Sequence, residues 1–330
     1  MLWFIPYVWP GIALAYFASG LGLEAAILSM ASIGFLYVVF LGAVQFNIRF
    51  GLYEAPAIKV SRGVYAPRTG VFGRLGLSPM ESAMMRKDFK ALTRRKELMY
   101  IFMFPVMFVI MPIVSLMRVG AVTSIPPALH SFMFAYSILL PGVFIVTMLG
   151  TWMVGMEGSS VWYVYSTPIT ARSLVKAKYS FAVLFSLAAT LVCSIVGGLL
   201  WSPSLGIATI SLAETLLLIF SLGMVSLSFG IRGADFRELP RPRMIRPLWG
   251  LINGLVSLLL LLAIASPIIP YALKLALEAM PSPLAPLVPV PEFYPYLALP
   301  VSGAIASIVT YVFYRIALKN AEEFLTKAEG

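Results

Sequence analysis

Few side chains in this sequence could form a catalytic or metal centre. The chain contains one histidine, His130, and one cysteine, Cys193, so HExxH zinc chemistry and cysteine-based metal clusters are excluded. His130 is the only candidate base for a Ser–His pair, but it begins an apolar stretch and has no acidic neighbour. We interpret it as an interfacial polar residue at a helix start. The sequence therefore predicts no metal site, no catalytic site and no intramolecular disulfide.

A phosphate-binding loop for nucleotide hydrolysis is also missing. A P-loop places a glycine directly before its lysine, so that backbone N–H groups and the ammonium converge on the phosphates. No lysine in this sequence follows a glycine. If ATP powers the protein, we expect ATP and Mg²⁺ to be bound by another polypeptide, with no cofactor in this chain.

Polar residues inside apolar stretches are the remaining candidates for function. Glu214 stands alone within SLAETLLL, where a carboxylate is costly and often marks a substrate or proton path. Alternatively, Glu214 is protonated and hydrogen-bonded to a neighbouring helix, with no role in a path. Small or hydroxyl residues also recur at helical spacing, which serves close helix packing more often than it lines a path. These sets are Ser186, Thr190 and Ser194 in one stretch and Gly303, Ser307 and Thr310 in another.

Long apolar segments must position these residues. The chain is 60% hydrophobic and 12% charged, and it repeatedly runs about 20 residues with few or no charges, enough to cross a bilayer. The segments are apolar all round and lack the period-two alternation of a membrane β-barrel. We predict an all-α, polytopic membrane protein. Its predicted spans, about eight, lie near residues 3–20, 24–46, 98–117, 130–154, 178–201, 205–230, 247–269 and 296–317.

The distribution of cations predicts the orientation of the spans. Of the 24 Lys and Arg residues, 22 lie in or beside four segments, and only Arg118 and Lys274 lie on the other side. Because Lys and Arg in short loops favour the cytoplasm, we expect a multi-pass protein of the cell membrane with both termini cytoplasmic. The net charge of +10 then reflects topology and contact with anionic membrane lipids, so no nucleic-acid partner is predicted. The four basic segments are 47–97, 155–177, 231–246 and 318–330.

Residues 79–97 have the pattern of an amphipathic cytoplasmic helix that lies in the membrane interface. Ser78, Pro79 and Glu81 form the signature of a capping box at its start. The basic stripe of this helix consists of Arg86, Lys90 and Arg94. Asp88 is not explained by lipid anchoring alone. We expect the helix both to contact lipid and to offer a surface to a cytoplasmic partner.

The segment between the fourth and fifth predicted spans has the composition of a rigid loop outside the membrane. Pro168 fixes φ and stops a helix, and three aromatic residues supply rigid contact area. These aromatic residues are Trp162, Tyr163 and Tyr165. Lys176 and Lys178 are expected to anchor the next span at the lipid headgroups. The alternative is an ordinary interfacial loop with an aromatic belt, although an anionic surface would repel Glu157.

The basic helix, the six spans of residues 98–318 and the loop EGSSVWYVYSTPITARSLVKAK together resemble the permease subunit of type 2 ABC transporters (ABC-2, the exporter-like class). This resemblance implies a coupling helix that docks on a separate ATP-binding subunit in the cytoplasm. It places Glu157 and Gly158 at the opening of the loop and Pro168 at its end, with Thr170 capping the next helix. The contacting turn would run from Val161 to Tyr165. A second permease subunit, identical or different, is also implied.

The predicted organisation has four parts. They are a transmembrane hairpin at 1–46, a basic cytoplasmic loop and helix at 47–97, a six-span permease bundle at 98–318 and a cytoplasmic tail at 319–330. The hairpin departs from the family's pattern. The function expected from the resemblance is that of a non-catalytic exporter subunit, which moves cargo with ATP hydrolysed by its partner. An ATP-independent membrane scaffold or assembly factor and an intramembrane enzyme stay open as alternatives.

Overall fold

The computed structural model of this protein describes residues 6–50, 73–74, 76–94, 101, 103, 107–111, 127–236, 244–279, 291 and 293–326. Nearly all of these residues are helical, and one isolated antiparallel bridge pairs Ala234 with Ile245. The all-α class predicted from the sequence is confirmed. The chain divides into two compact units, Met1–Ala66 and Pro67–Gly330.

The first unit is a pair of apolar helices, α1 (Trp9–Ala18) and α2 (Gly22–Phe50). Gly20 in the turn between them has a φ of 81°, which glycine adopts without strain. Helix α2 contains a stretch long and apolar enough to cross a membrane. The 10 residues of α1 rise only about 15 Å. The predicted span at 3–20 is therefore described only as a short helix.

The second unit is a helical bundle. Its helices are α3 (Pro79–Arg94), α4 (Pro127–Trp152), α5 (Trp162–Ser166), α6 (Ala171–Trp201), α7 (Leu205–Gly233), α8 (Pro247–Ala265), α9 (Ile269–Ala279) and α10 (Tyr294–Thr326). Among the described residues, six helices have the length and apolarity of membrane spans: α2, α4, α6, α7, α8 and α10. This confirms the polytopic prediction. The predicted span at 98–117 lies mostly outside the described residues.

Helix α7 lies at the centre of the bundle and contacts α4, α6, α8 and α10. Most of its side chains from Leu218 to Ile231 are buried. A Cβ added to Gly230 would lie 2.6 Å from the carbonyl oxygen of Gly150, so the backbones of α7 and α4 are nearly in contact. Because the hydrophobic effect does not drive association between helices in lipid, close van der Waals packing through small residues stabilises such contacts.

Helix α3 begins with the predicted capping box, which is confirmed. The N–H of Ser78 donates to Oε2 of Glu81 at 2.8 Å, and the N–H of Glu81 donates to Oγ of Ser78 at 3.3 Å. Met85 and Leu92 on its apolar face are each 1% exposed and belong to the main hydrophobic core. The helix packs on α6. Its apolar face is therefore covered by protein and not by lipid alone.

Two connections and the C-terminal part of α10 meet at one end of the bundle. The ring of Phe324 in α10 contacts Tyr165, between α4 and α6, and Phe236, after α7. Residues 319–326, predicted as a tail, instead continue α10, and Ala321 is fully buried. We call this the basic end because cations gather there. They include Arg172, Lys176, Lys178, Arg232, Arg246 and Lys319.

Candidate functional site

Lys178, near the start of α6, lies at the centre of a buried group of charges at the basic end. Lys178 is 1% exposed. Its ammonium donates to both carboxylate oxygens of Asp88 on α3 at 3.0 Å. It also donates to Glu157, which lies in the 3-10 segment Gly155–Val161. An unpaired buried ammonium would be strongly unfavourable, so the two carboxylates stabilise its charged form. Lys178 thereby fastens both α3 and the segment after α4 to α6.

Lys87 on α3 supplies the second positive charge of this group. Its ammonium donates to Glu157 and to the hydroxyl of Tyr163, and it lies 4.2 Å from the centroid of the Tyr163 ring. The distance from its Nζ to Oδ1 of Asp88 is 3.7 Å. We call Lys87, Asp88, Glu157 and Lys178 the charge cluster. With two ammonium groups and two carboxylates, its formal charge is zero, which is the condition for burying so many charges together.

The ionisation of the charge cluster depends on this compensation. Burial raises the pKa of Glu157, but the ammonium groups of Lys178 and Lys87 outweigh burial and hold the pKa below its usual value. Burial, followed by the positive charge of Lys178, lowers the pKa of Lys87, and the neighbouring carboxylates offset only part of this. Removing one charge would leave the others buried without their partner.

A second, more exposed contact joins α3 to α6. Lys176 lies 3.2 Å from Oε2 of Glu81 and donates to the carbonyl oxygen of Gly76 at 2.8 Å. Burial raises the pKa of Glu81, but the backbone N–H of Ser78 and then Lys176 bring it below its usual value. Because the side chain of Lys176 is 45% exposed, this ion pair contributes at most about 1 kcal/mol.

Acidification is expected to loosen α3 from α6. Glu81 and Glu157 both have folded-state pKa values below the ordinary 4.5. The stability that they contribute is therefore complete above that value and is lost as the pH falls through the lowered values. Asp88 acts in the opposite sense, because burial raises its pKa, so the expected loss comes from Glu81 and Glu157 alone. Hydrogen exchange, corrected for intrinsic rates, should show faster exchange in α3 at about pH 3.5 than at about pH 6. The core of α7 is the internal control, and equal protection of α3 at both pH values would contradict the expectation.

The loop that follows α4 is compact. Gly158 has φ 53° and ψ −139°, a conformation that a residue with a Cβ adopts only under strain. The five-residue helix α5 comes next. Oγ1 of Thr170 then accepts from the N–H of Ser173 at 3.2 Å, which confirms the predicted cap of α6. The sequence-predicted loop is thus built from a glycine reversal, one helical turn and a capped helix.

The side chains of this loop divide into an inner and an outer set. Val164 is 1% exposed and packs inward, whereas Trp162 is 67% exposed. Three predicted residues are half-buried: Val161, Tyr163 and Tyr165. We call the exposed set the docking face, and it consists of Trp162, Ser166, Thr167 and Pro168. Only part of the predicted contacting turn is therefore available to a partner.

Glu157 and Lys178 are placed differently from their sequence-based interpretation. The sequence predicts Glu157 at the opening of a partner-binding loop and Lys178 at the lipid headgroups. Both are instead enclosed in the charge cluster, since each offsets the burial cost of the other. Asp88 is the residue whose position in the sequence could have indicated a buried ion pair, because lipid anchoring does not explain it. Its pairing with a lysine 90 positions away leaves no mark in the sequence.

The predicted basic stripe of α3 is only partly described. Arg86 is half-buried, and its Nε donates to the carbonyl oxygen of Ser82 at 3.3 Å. Lys90 is exposed. The side chain of Arg94 lies outside the described residues. Of the stripe, Arg86 therefore makes a local bond within α3.

The predicted pathway residues lie on three helices, α6, α7 and α10. Ser186 donates to the carbonyl oxygen of Gly142 at 2.6 Å, and Oγ1 of Thr190 would lie 2.6 Å from a Cβ at Gly142, so both face α4. Ser194 is half-buried on α6. The α10 set makes local bonds instead. In it, Ser307 donates to Gly303 and Thr310 donates to Ala306. Each of these bonds joins helices or turns of the bundle, and Glu214 is buried on α7.

A groove of about 430 Å³ lies at the basic end beside α5. Its lining carries both signs of charge together with aromatic surface. The lining includes Tyr165, Arg232, Asp235, Arg246, Glu323 and Phe324. Of the predicted coupling-loop residues, Tyr165 lines this groove.

Comparison with protein families assigns the chain. Residues 3–319 match the family described as "Putative ATP-binding cassette". The chain belongs to this family. No similar curated protein and no similar solved structure was found. The protein is accordingly an ABC-related membrane protein, with helices long enough to cross a bilayer.

The family match corrects the resemblance stated from the sequence. The matching family is not that of the type 2 permeases, so that assignment is wrong. Apolar spans and Lys- and Arg-rich cytoplasmic segments are general features of polytopic membrane proteins. They are therefore not specific to one family. The family's description also names a cassette that binds ATP, whereas the described residues form membrane-length helices.

Proposed function

We propose that this chain is the membrane-spanning subunit of an ABC-type exporter, and that a separate cytoplasmic subunit binds and hydrolyses its ATP. The family match and the membrane-length helices support an ABC-related role in the membrane. The absence of any Gly–Lys pair in the sequence supports placing nucleotide chemistry in a partner. On this proposal the chain is not itself an enzyme, and ATP and Mg²⁺ belong to the partner.

The observation that carries the proposal is the way in which the charge cluster holds the docking face. A loop that transmits force must be rigidly attached to the helices that it moves. Glu157 lies five residues before Trp162 and is bonded to lysines on α3 and α6. Trp162 itself is exposed, and tryptophan is among the residues that contribute most at interfaces. A push on the docking face would thus reach both α3 and α6.

The remaining parts of the proposal concern the assembly. The basic end faces the cytoplasm of the cell, where its cations lie beside anionic membrane lipids. A second membrane-spanning subunit completes a two-fold assembly, in line with the general preference of oligomers for closed symmetry. Alternating access then moves cargo outward between the subunits.

Co-purification tests the partner. The tagged chain, extracted in mild detergent without added nucleotide, should retain a second polypeptide that contains a P-loop and has ATPase activity. Recovery of the folded chain with no P-loop protein, under conditions that preserve a known ABC complex in parallel, would contradict the proposal. That outcome would favour an ATP-independent scaffold.

Cysteine labelling tests the orientation. Ser166, in the docking face, and Ser202, after α6, are exposed at opposite ends of the bundle. In a Cys193→Ala background, Ser202→Cys should react with an impermeant maleimide added outside intact cells, whereas Ser166→Cys should react only after permeabilisation. Labelling of Ser166→Cys in intact cells would reverse the orientation.

A further inference from the structure

A small cavity lies in the half of the bundle away from the basic end. Its volume is about 120 Å³, and it is bounded by the first half of α4, the first half of α7 and the start of α9. The walls are largely apolar. They include Phe132, Ile207, Ile210, Ile268, Tyr271 and the one carboxylate residue, Glu214.

Glu214 in this wall is buried without compensation. It is 3% exposed, and neither of its carboxyl oxygens has a hydrogen-bond partner among the described residues. The hydroxyl of Ser302 on α10 approaches the carboxyl group, but its geometry is not that of a hydrogen bond. Burying a carboxyl group in hydrocarbon without a partner costs several kcal/mol. The described residues do not offset this cost, so the position of Glu214 calls for a functional explanation.

We propose that Glu214 and this cavity bind the amine group of an apolar or amphipathic molecule. An ammonium group would supply both the missing hydrogen-bond donor and the opposite charge. Low-polarity walls strengthen that attraction relative to water. The rings of Phe132 and Tyr271 add aromatic surface, which also attracts cations. The volume equals that of roughly four water molecules, which suits an amine with a few carbon atoms while a longer apolar part extends outside.

The inference names a class of cargo for the proposed exporter. That the amine is transported rests on the proposed function, whereas its binding does not. Binding itself requires no ATPase subunit. If binding fails while the P-loop partner still co-purifies, the inference is lost and the exporter proposal stands. If the partner is absent but the amine binds, the reverse holds.

The test compares two probes with the same skeleton, phenethylamine and 2-phenylethanol. Each is titrated by saturation-transfer NMR against the full chain in phosphatidylcholine nanodiscs at neutral pH, and empty nanodiscs correct for partition into lipid. Glu214→Gln keeps the shape of the side chain and removes its charge. Glu322→Gln, an exposed position near the basic end, is the matched control.

Wild type and Glu322→Gln should bind the amine at least about tenfold more tightly than the alcohol, as expected for one charge-assisted hydrogen bond. Glu214→Gln should bind both probes about equally. The wild-type comparison alone can overturn the inference, because it needs no variant to fold. Equal binding of the two probes by wild type, no binding of either, or an amine preference that survives in monodisperse Glu214→Gln would each overturn it.

Discussion

Replacing Lys178 with methionine is expected to destabilise the protein by about 3–5 kcal/mol, since removal of one partner from a buried ion cluster leaves uncompensated charge. Asp88 and Glu157, whose side chains are 4% and 6% exposed, would then share the single ammonium of Lys87. The apparent unfolding temperature in detergent should fall by at least about 6 °C. Methionine has a similar length, so the loss would reflect charge more than volume.

Lys176→Met is the matched control for this prediction. Lys176 lies two positions away on the same helix and also pairs with α3, but its side chain is 45% exposed. Its replacement should cost about 0–1 kcal/mol. The double variant Lys178→Met with Asp88→Asn should regain part of the lost stability, because Lys87 and Glu157 remain as a neutral pair. Equal effects of the two single lysine variants would contradict the role of the charge cluster.

Truncation of Trp162 to alanine is expected to weaken binding of the ATPase subunit by about 30-fold, the effect of a typical tryptophan at an interface centre. The 67% exposure of this residue means that its loss removes little from the fold. The measurement is the affinity of the purified P-loop subunit for nanodisc-embedded chain. Leu248→Ala, at a residue that is 65% exposed near the start of α8, is the control and should have little effect.

The same variant separates docking from membrane anchoring. If Trp162 is part of an aromatic belt, Trp162→Ala should lower the amount of inserted chain while each inserted chain still binds the ATPase subunit. Unchanged affinity per inserted chain would therefore contradict the docking face.

Local chemistry explains why much of the fold could be predicted. Hydropathy over windows of membrane length marked the spans that became α4, α6, α7, α8 and α10, because burial in lipid demands apolar residues on every face. The capping box of Ser78 and Glu81 and the cap at Thr170 involve residues three positions apart, so their partners are visible in the sequence.

The charge cluster could not be predicted because its bonds join distant parts of the chain. Lys178 meets Asp88 across 90 positions and Glu157 across 21. Taken alone, each residue matched a simpler local explanation, such as a headgroup anchor for Lys178. The enclosed position of Glu157 also changes the meaning of a charge reversal there: Glu157→Lys would bury a third cation and disturb the fold before it disturbed any partner.

The helical tail was missed for a related reason. Residues 319–326 are polar enough to leave the membrane, and hydropathy ends the span before them. Their packing depends on Phe324 meeting Tyr165 and Phe236, which come from two other connections. Such contacts between separate segments are fixed by the tertiary fold.

Photoaffinity labelling with an azido-ATP most directly tests the claim that this chain spans the membrane while another chain binds nucleotide. Purified complex is irradiated with the labelled nucleotide and Mg²⁺, with and without excess ATP, and the two polypeptides are separated before the label is measured. The account predicts ATP-protected labelling of the P-loop subunit and background labelling of this chain. ATP-protected labelling of this chain, whether alone or in complex, would contradict it.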